Sequence, residues 1–156
     1  DSVTYIGVAE KVKLPDLKRK TEDLRAAGMN GPVKADMGQE GMTCEHEYAG
    51  FVSEMFKTWG IAKVDGTMLR FAGALQQDDS ATVTAIELVM RGRHSEVTMP
   101  EAEGGKKGSF KVKTDLTYFK YTENGTTIIE IDLVNMIEVV GGVDRMAEQR
   151  RAIGMA

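Results

Sequence analysis

Apolar and polar residues alternate along much of this chain, and a period of two is the mark of a strand with one buried face. Across residues 110–118, Phe110, Val112, Leu116 and Tyr118 fall on one side and Lys111, Lys113, Asp115 and Thr117 on the other, predicting a half-buried strand. The strand continues to Glu123, meets Asn124-Gly125 and resumes over Thr126 to Asp132. Asn-Gly tolerates positive φ at both centres of a two-residue turn, so a β-hairpin is predicted here. In its return strand Ile129, Ile131 and Leu133 share one face, and Ile128, Glu130 and Asp132 the other. Met42, Cys44, His46 and Tyr48 alternate with Thr43, Glu45 and Glu47, and Leu69, Phe71 and Leu75 with Met68, Arg70 and Ala74. Thr82 to Arg91 is apolar on both faces, as expected of a strand with neighbours on both sides.

Two short helices interrupt this pattern. Val52, Met55, Phe56 and Trp59 stand at helical spacing, with Ser53 as a candidate N-cap and Gly60 just past the end. Val143, Met146, Ala147 and Ile153 line a second segment, which Gly154 would terminate. The polar run Glu101 to Gly108 is expected to be a mobile loop. Asp16 to Ala27 follows Pro15 and is rich in helix formers, yet Leu17 and Leu24 are its only large apolar residues, too thin a stripe to dock a helix. The other reading is a long exposed hairpin arm over about 15–37, with its tip at Gly28-Met29-Asn30-Gly31-Pro32 and Val33 to Met37 returning. Such an arm has little core of its own and needs a partner to order it.

Composition narrows the chemistry. At 156 residues with 42% hydrophobic and 28% charged residues, the chain suits one domain with its own core and no internal repeat. Cys44 is the only cysteine and there are two histidines, which excludes an intramolecular disulfide and leaves no cysteine or histidine set for zinc. No apolar run approaches the roughly 20 residues that span a bilayer, and the first residues carry no basic-then-apolar signal, so membrane insertion and a secretory signal are not expected. The start at Asp1 makes removal of a leading segment an expectation. The net charge of -4 offers no overall attraction to nucleic acid. Locally, Lys11 to Arg25 holds six basic and three acidic residues, whereas Asp36 to Glu54 holds five acidic and no basic ones. These runs are either solvated faces or opposite poles that steer identical copies into a stack.

No constellation for catalysis emerges. Cys44 and His46 share a strand face with Met42 and Tyr48, so a buried thiol beside a hydrogen-bonded histidine explains them better than a thiolate–imidazole pair. Glu45 and Glu47 fit a solvated or channel-lining acidic face better than an acid–base pair. The glycines of 103–109 lack phosphate-loop spacing, Asn124-Gly125-Thr126 is a turn rather than a glycan acceptor, and Met68, Met90 and Met136 are expected to pack in the core. No catalytic, cofactor-binding or metal residue is assigned.

Several strings resemble one family. Leu14-Pro15-Asp16-Leu17 through Lys20-Thr21-Glu22, then Arg25-Ala26-Ala27-Gly28-Met29-Asn30-Gly31, resemble the major tail tube proteins of contractile-tailed bacteriophages. So do Arg70-Phe71-Ala72-Gly73, Val89-Met90-Arg91-Gly92-Arg93, Glu130-Ile131-Asp132, Asn135-Met136-Ile137, Gly141-Gly142-Val143-Asp144-Arg145 and Arg150-Arg151, in order along the chain. The resemblance implies a mainly β, two-sheet antiparallel barrel or sandwich with two short helices and a protruding arm, preceded by a further N-terminal strand. It implies homohexameric rings stacked into a tube, with sheath, baseplate and tape-measure protein as partners and DNA passing without specific binding. It places the protein in the virion tail, and in the host cytoplasm during assembly. On this reading Leu17, Lys18, Arg19, Lys20, Arg25, Met29 and Asn30 reach the neighbouring ring, Glu45, Glu47 and Glu87 line the lumen, and there is no chemical step. The alternatives are the tube of a tail-like bacteriocin or secretion particle without a genome and, more distantly, a β-barrel ligand binder, which needs a deep apolar pocket with convergent polar groups.

Overall fold

The computed structural model describes residues 9–101, 104–105 and 108–155. Ten strands and two short helices follow in the order β1 (Ala9–Lys13), β2 (Arg19–Leu24), β3 (Val33–Gln39), β4 (Met42–Ala49), α1 (Ser53–Lys57), β5 (Thr67–Gln76), β6 (Val83–Thr98), β7 (Ser109–Glu123), β8 (Thr126–Asp132), β9 (Ile137–Val140), β10 (Val143–Asp144) and α2 (Ala147–Ala152). All pairings are antiparallel. Eight strands make one sheet, and β2 and β3 pair separately with each other. The Asp16–Ala27 stretch is therefore strand and loop, not helix, because its two leucines give a helix nothing to bury.

The long strands β6 and β7 organise the sheet. β6 runs beside β7 from Ile86↔Glu123 to Thr98↔Lys111. On its other edge β7 takes β4 over residues 109–116 and then β8 over residues 118–123. Between these halves the ladder slips: Arg91 faces Tyr118 while the next residue, Gly92, faces Leu116, leaving Thr117 as a bulge. Gly92 is required there, since a Cβ would lie 1.9 Å from the Asp115 carbonyl oxygen. A bulge shifts the alternation by one residue and lets a sheet turn a corner. This corrects the predicted facing of β7: Phe110, Val112 and Leu116 are buried as expected, but beyond the slip the core residue is Phe119 rather than Tyr118.

The corner folds the sheet onto itself. Met42 and Cys44 of β4 pack with Leu88 and Met90 of β6 and Ile131 of β8, strands to which β4 is not hydrogen-bonded. A second cluster of Tyr48, Val52, Met55, Phe110 and Val112 lies under α1. The sheet does not close into a barrel: among the described strands β5 and β1 each have one neighbour, and β10 ends the path. β6 is central, as its two apolar faces predicted, but it extends seven residues past Arg91 to Thr98.

Local expectations fare unevenly. Asn124 (φ 47°) and Gly125 (φ 81°) make the predicted hairpin turn, and Gly141 and Gly142 repeat it between β9 and β10. In α1 Val52, not Ser53, holds the N-cap position, and no side chain caps it. Only Val52 and Met55 of its apolar stripe are buried, while Trp59 is exposed and Phe56 sets one side of its ring on Phe110 and leaves the rest exposed. At the C-terminus Val143 belongs to β10, and α2 buries no residue. Its anchor is polar: Arg150 donates to the Met136 carbonyl (2.8 Å) and bonds Asp144, which holds the Asp144 carboxyl below its usual range. Met90 is core, whereas Met68 is exposed, because the outer face of β5 has nothing packed on it. The expected Glu101–Gly108 loop includes residues 102–103 and 106–107, which lie outside the described residues.

Candidate assembly surfaces

Three regions carry the polar chemistry of the chain, and the first is internal. Thr114 of β7 has no exposed surface, and its hydroxyl lies 3.0 Å from Nε2 of His46 on β4 and 2.8 Å from Nδ1 of His94 on β6. His94 Nε2 is 2.9 Å from the Thr58 hydroxyl, and His46 Nδ1 is 2.6 Å from the Tyr48 hydroxyl. Thr58 donates to the Glu54 and Met55 carbonyls of α1. Those carbonyls cannot donate back, so the direction of every other bond follows for neutral rings. His94 donates to Thr58, Thr114 to His94, His46 to Thr114, and Tyr48 to His46. Burial, with His94 next to His46, pushes the His46 pKa down to about 4 and lowers that of His94, so both rings are neutral at pH 7. Cys44 beside them is buried and its thiol is pushed up to about 11. This is an inert, satisfied interior that ties three strands to α1. Thr114 and Thr58 were missed in the sequence, although a threonine on the face of Phe110, Val112 and Leu116 signals a buried hydroxyl that needs partners.

The hairpin of β2 and β3 is the opposite case. All six residues of β2 are exposed. Leu17, Lys18, Lys20, Arg25 and Asn30 are exposed and Met29 is half-buried, its sulfur accepting from the Ala26 amide. Arg19 bonds Asp36 at 3.0 Å and Glu138 of β9 at 2.8 Å, and the Glu40 amide donates to the Lys18 carbonyl (2.8 Å). Arg19 thus fixes the base of the hairpin.

The third region holds the acidic residues. Glu45 lies between Lys13 of β1 and Lys113 of β7, and Glu47 between Lys11 and Lys111, the last at 3.6 Å. Glu87 stands on β6 and accepts from Arg70 of β5 (2.8 Å), a bond that lowers its pKa. Glu45 and Glu47 are therefore neighbours, and Glu87 is in another part of the sheet. The basic and acidic runs of the sequence meet side by side within one chain rather than standing at separate poles.

Grooves also open on the surface of the described residues. One of about 480 Å³ is lined by Trp59, Ile61, Val64, Arg93, His94 and Asp115, among others. A smaller one of about 270 Å³ lies at the hairpin base, between Lys13, Lys18, Glu40 and Glu45. Neither is the deep apolar pocket of a ligand binder. Among the described residues, no three His, Cys, Asp or Glu side chains could hold a metal ion, and no helix is long and apolar enough to cross a membrane.

A buried core without reactive groups, surrounded by open edges and an exposed hairpin, suits a building block. The family model described as phage tail tube protein FII matches residues 1–154. The chain belongs to that family. It is 41% identical to the tail tube protein of Escherichia phage P2 over 155 residues, covering 97% of this chain and 90% of the relative. The major tail tube protein of Serratia phage KSP20 is 32% identical over 139 residues, covering 88% and 80%. The fold is similar to chains in two cryo-EM structures of an extracellular contractile injection system. With the sheath-tube complex in the extended state the TM-score is 0.52 at 10% identity, covering 72% of this chain and 78% of the other. With the sheath/tube terminator it is 0.53 at 10%, covering 73% and 84%. The protein is a structural tail tube protein of the virion, not an enzyme.

Proposed function

We propose that six copies of this tail tube protein close a ring, that rings stack inside a contractile sheath, and that the genome leaves the capsid through the bore. The observation that carries this reading is the 41% identity to the phage P2 tail tube protein over 97% of the chain. The fold supports it, because among the described strands β5, ten residues long, pairs only with β6 and leaves its other edge open. Edges of this length invite uncontrolled pairing in a monomer, and a ring in which each copy covers the next removes them. Both curated relatives come from phages, which favours a genome-carrying tube over a particle without one. Sheath, baseplate and tape-measure protein are the partners this role requires, and assembly takes place in the host cytoplasm.

Within this reading the hairpin reaches the next ring, presenting Leu17, Lys18, Lys20 and Arg25 with Met29 and Asn30 at its tip, while Arg19 holds its base. Glu45, Glu47 and Glu87 face the bore. Interleaved with lysines and Arg70, they break up any continuous basic track on which a phosphate backbone could lodge. Negative-stain microscopy of a Lys18→Glu/Lys20→Glu variant tests the hairpin role: rings without tubes are expected. Tubes of normal length from that variant would contradict it.

A further inference from the structure

The hairpin has two unlike faces. Leu24 pairs with Val33 and Glu22 with Ala35, so Glu22 and Leu24 share a face with Val33 and Ala35, and Met37 follows Asp36 on β3 where the register shifts. The opposite face carries Arg19, Thr21, Asp23, Lys34 and Asp36, with Arg19 and Asp36 ion-paired. Leu24, Val33 and Met37 are 56%, 52% and 52% exposed, so three large apolar side chains of the hairpin lie in water, with the exposed Glu22 on the same face as Leu24 and Val33. A second such surface surrounds α1. Phe51, Phe56 and Trp59 are 67%, 40% and 51% exposed, and Phe51 stacks on Phe56 with ring centroids 6.5 Å apart.

We propose that the Leu24/Val33/Met37 face of one copy docks on the Phe51/Phe56/Trp59 surface of a second copy. The proposal rests on the tube reading above and names the surface that receives the hairpin. Two observations select a second copy as the occupant. The hairpin leads into Met42 at one end of β4, whereas the aromatics follow Ala49 at its other end, seven steps or roughly 23 Å along the strand. One copy does not satisfy both surfaces itself, since each remains exposed, but copies arranged head to tail satisfy every one in turn. The areas also match. At about 200 Å² per aromatic side chain, the three rings expose roughly 300 Å² of apolar surface, and the hairpin face offers a comparable amount. That is the apolar centre expected of a contact burying about 800 Å² per partner.

Disulfide trapping tests the contact. Cys44 is buried and silent, so Leu24→Cys/Phe56→Cys places the only reactive thiols at the two surfaces. Assembled under oxidising conditions, this variant should give a ladder of covalent oligomers on a non-reducing gel, while each single variant gives none. A second pair, Val33→Cys/Trp59→Cys, guards against one unfavourable geometry. Tubes visible by microscopy with no ladder from either pair would overturn this contact and leave the tube reading standing. If the unsubstituted protein forms no tubes at any concentration, the tube reading falls and the contact with it. Should either double variant fail to fold, Phe51→Ser/Trp59→Ser provides an independent test: rings that do not stack are expected, and tubes of normal length overturn the contact.

Discussion

Thr114 has no exposed surface and sits within hydrogen-bond reach of two histidines, while Leu24, paired with Val33 in the hairpin, is more than half exposed. The two positions represent two regions of one chain. Both ring nitrogens of His46 and of His94, and the hydroxyls of Tyr48, Thr58 and Thr114, have partners, and apolar clusters lie on either side. In the β2–β3 hairpin the strands pair, with a register shift between Arg19 and Thr21, but every residue of β2 stays exposed. A two-stranded ribbon in water is marginal by itself. Stability is thus concentrated in the folded sheet, and the hairpin is left for another molecule to order. What looks like a weakness of the monomer is what an assembling subunit needs.

Unequal damage from equal truncations would establish the contrast most strongly. Phe110→Ala, at the centre of the cluster under α1, should cost about 3–5 kcal/mol in denaturant unfolding of the unassembled protein. A loss below 1 kcal/mol would mean that this cluster does not hold the fold. Acid should have the next largest effect. Both histidines are neutral in the fold at pH 7, and His46 resists protonation down to about 4, whereas an unfolded histidine takes up a proton near 6.5. The unfolded state therefore binds more protons between these values, and stability falls as pH drops from about 6.5 to 4, by about 3 kcal/mol from His46. A flat profile across that window would contradict the buried, neutral relay.

Thr114→Val should cost about 2 kcal/mol, because it leaves His46 Nε2 and His94 Nδ1 buried without a partner. Its chemical shifts should also reveal altered imidazole tautomers, which a mere packing change would not produce. Smallest of all, Leu24→Ser should change unfolding free energy by less than about 0.5 kcal/mol, as for exposed positions generally. The same substitution should nonetheless impair tube formation, and this divergence between stability and assembly is the sharpest form of the comparison.

The parts of the fold that depend on local chemistry were legible in the sequence. Alternation placed β4 and the inner face of β6 correctly, Asn124-Gly125 fixed the β7–β8 turn, and the thin stripe of Leu17 and Leu24 argued against a helix. What escaped was set at a distance. The slip opposite Gly92, which exchanges Tyr118 for Phe119 in the core, depends on a carbonyl contact between β6 and β7 that no local pattern encodes. The relay through Thr114 joins residues 46, 58, 94 and 114, which only the folded sheet brings together. The half-exposed stripe of α1 was likewise hidden, because helical spacing marks Phe56 and Trp59 as apolar without saying which molecule covers them.

Cryo-electron microscopy of the purified protein, over a concentration series, tests the central claim most directly. Hollow tubes of stacked sixfold rings, with residues 15–37 ordered against the adjacent ring and the folded sheet unchanged, are the predicted result. A protein that remains monomeric at every concentration, or tubes in which the hairpin touches no other copy, would contradict it.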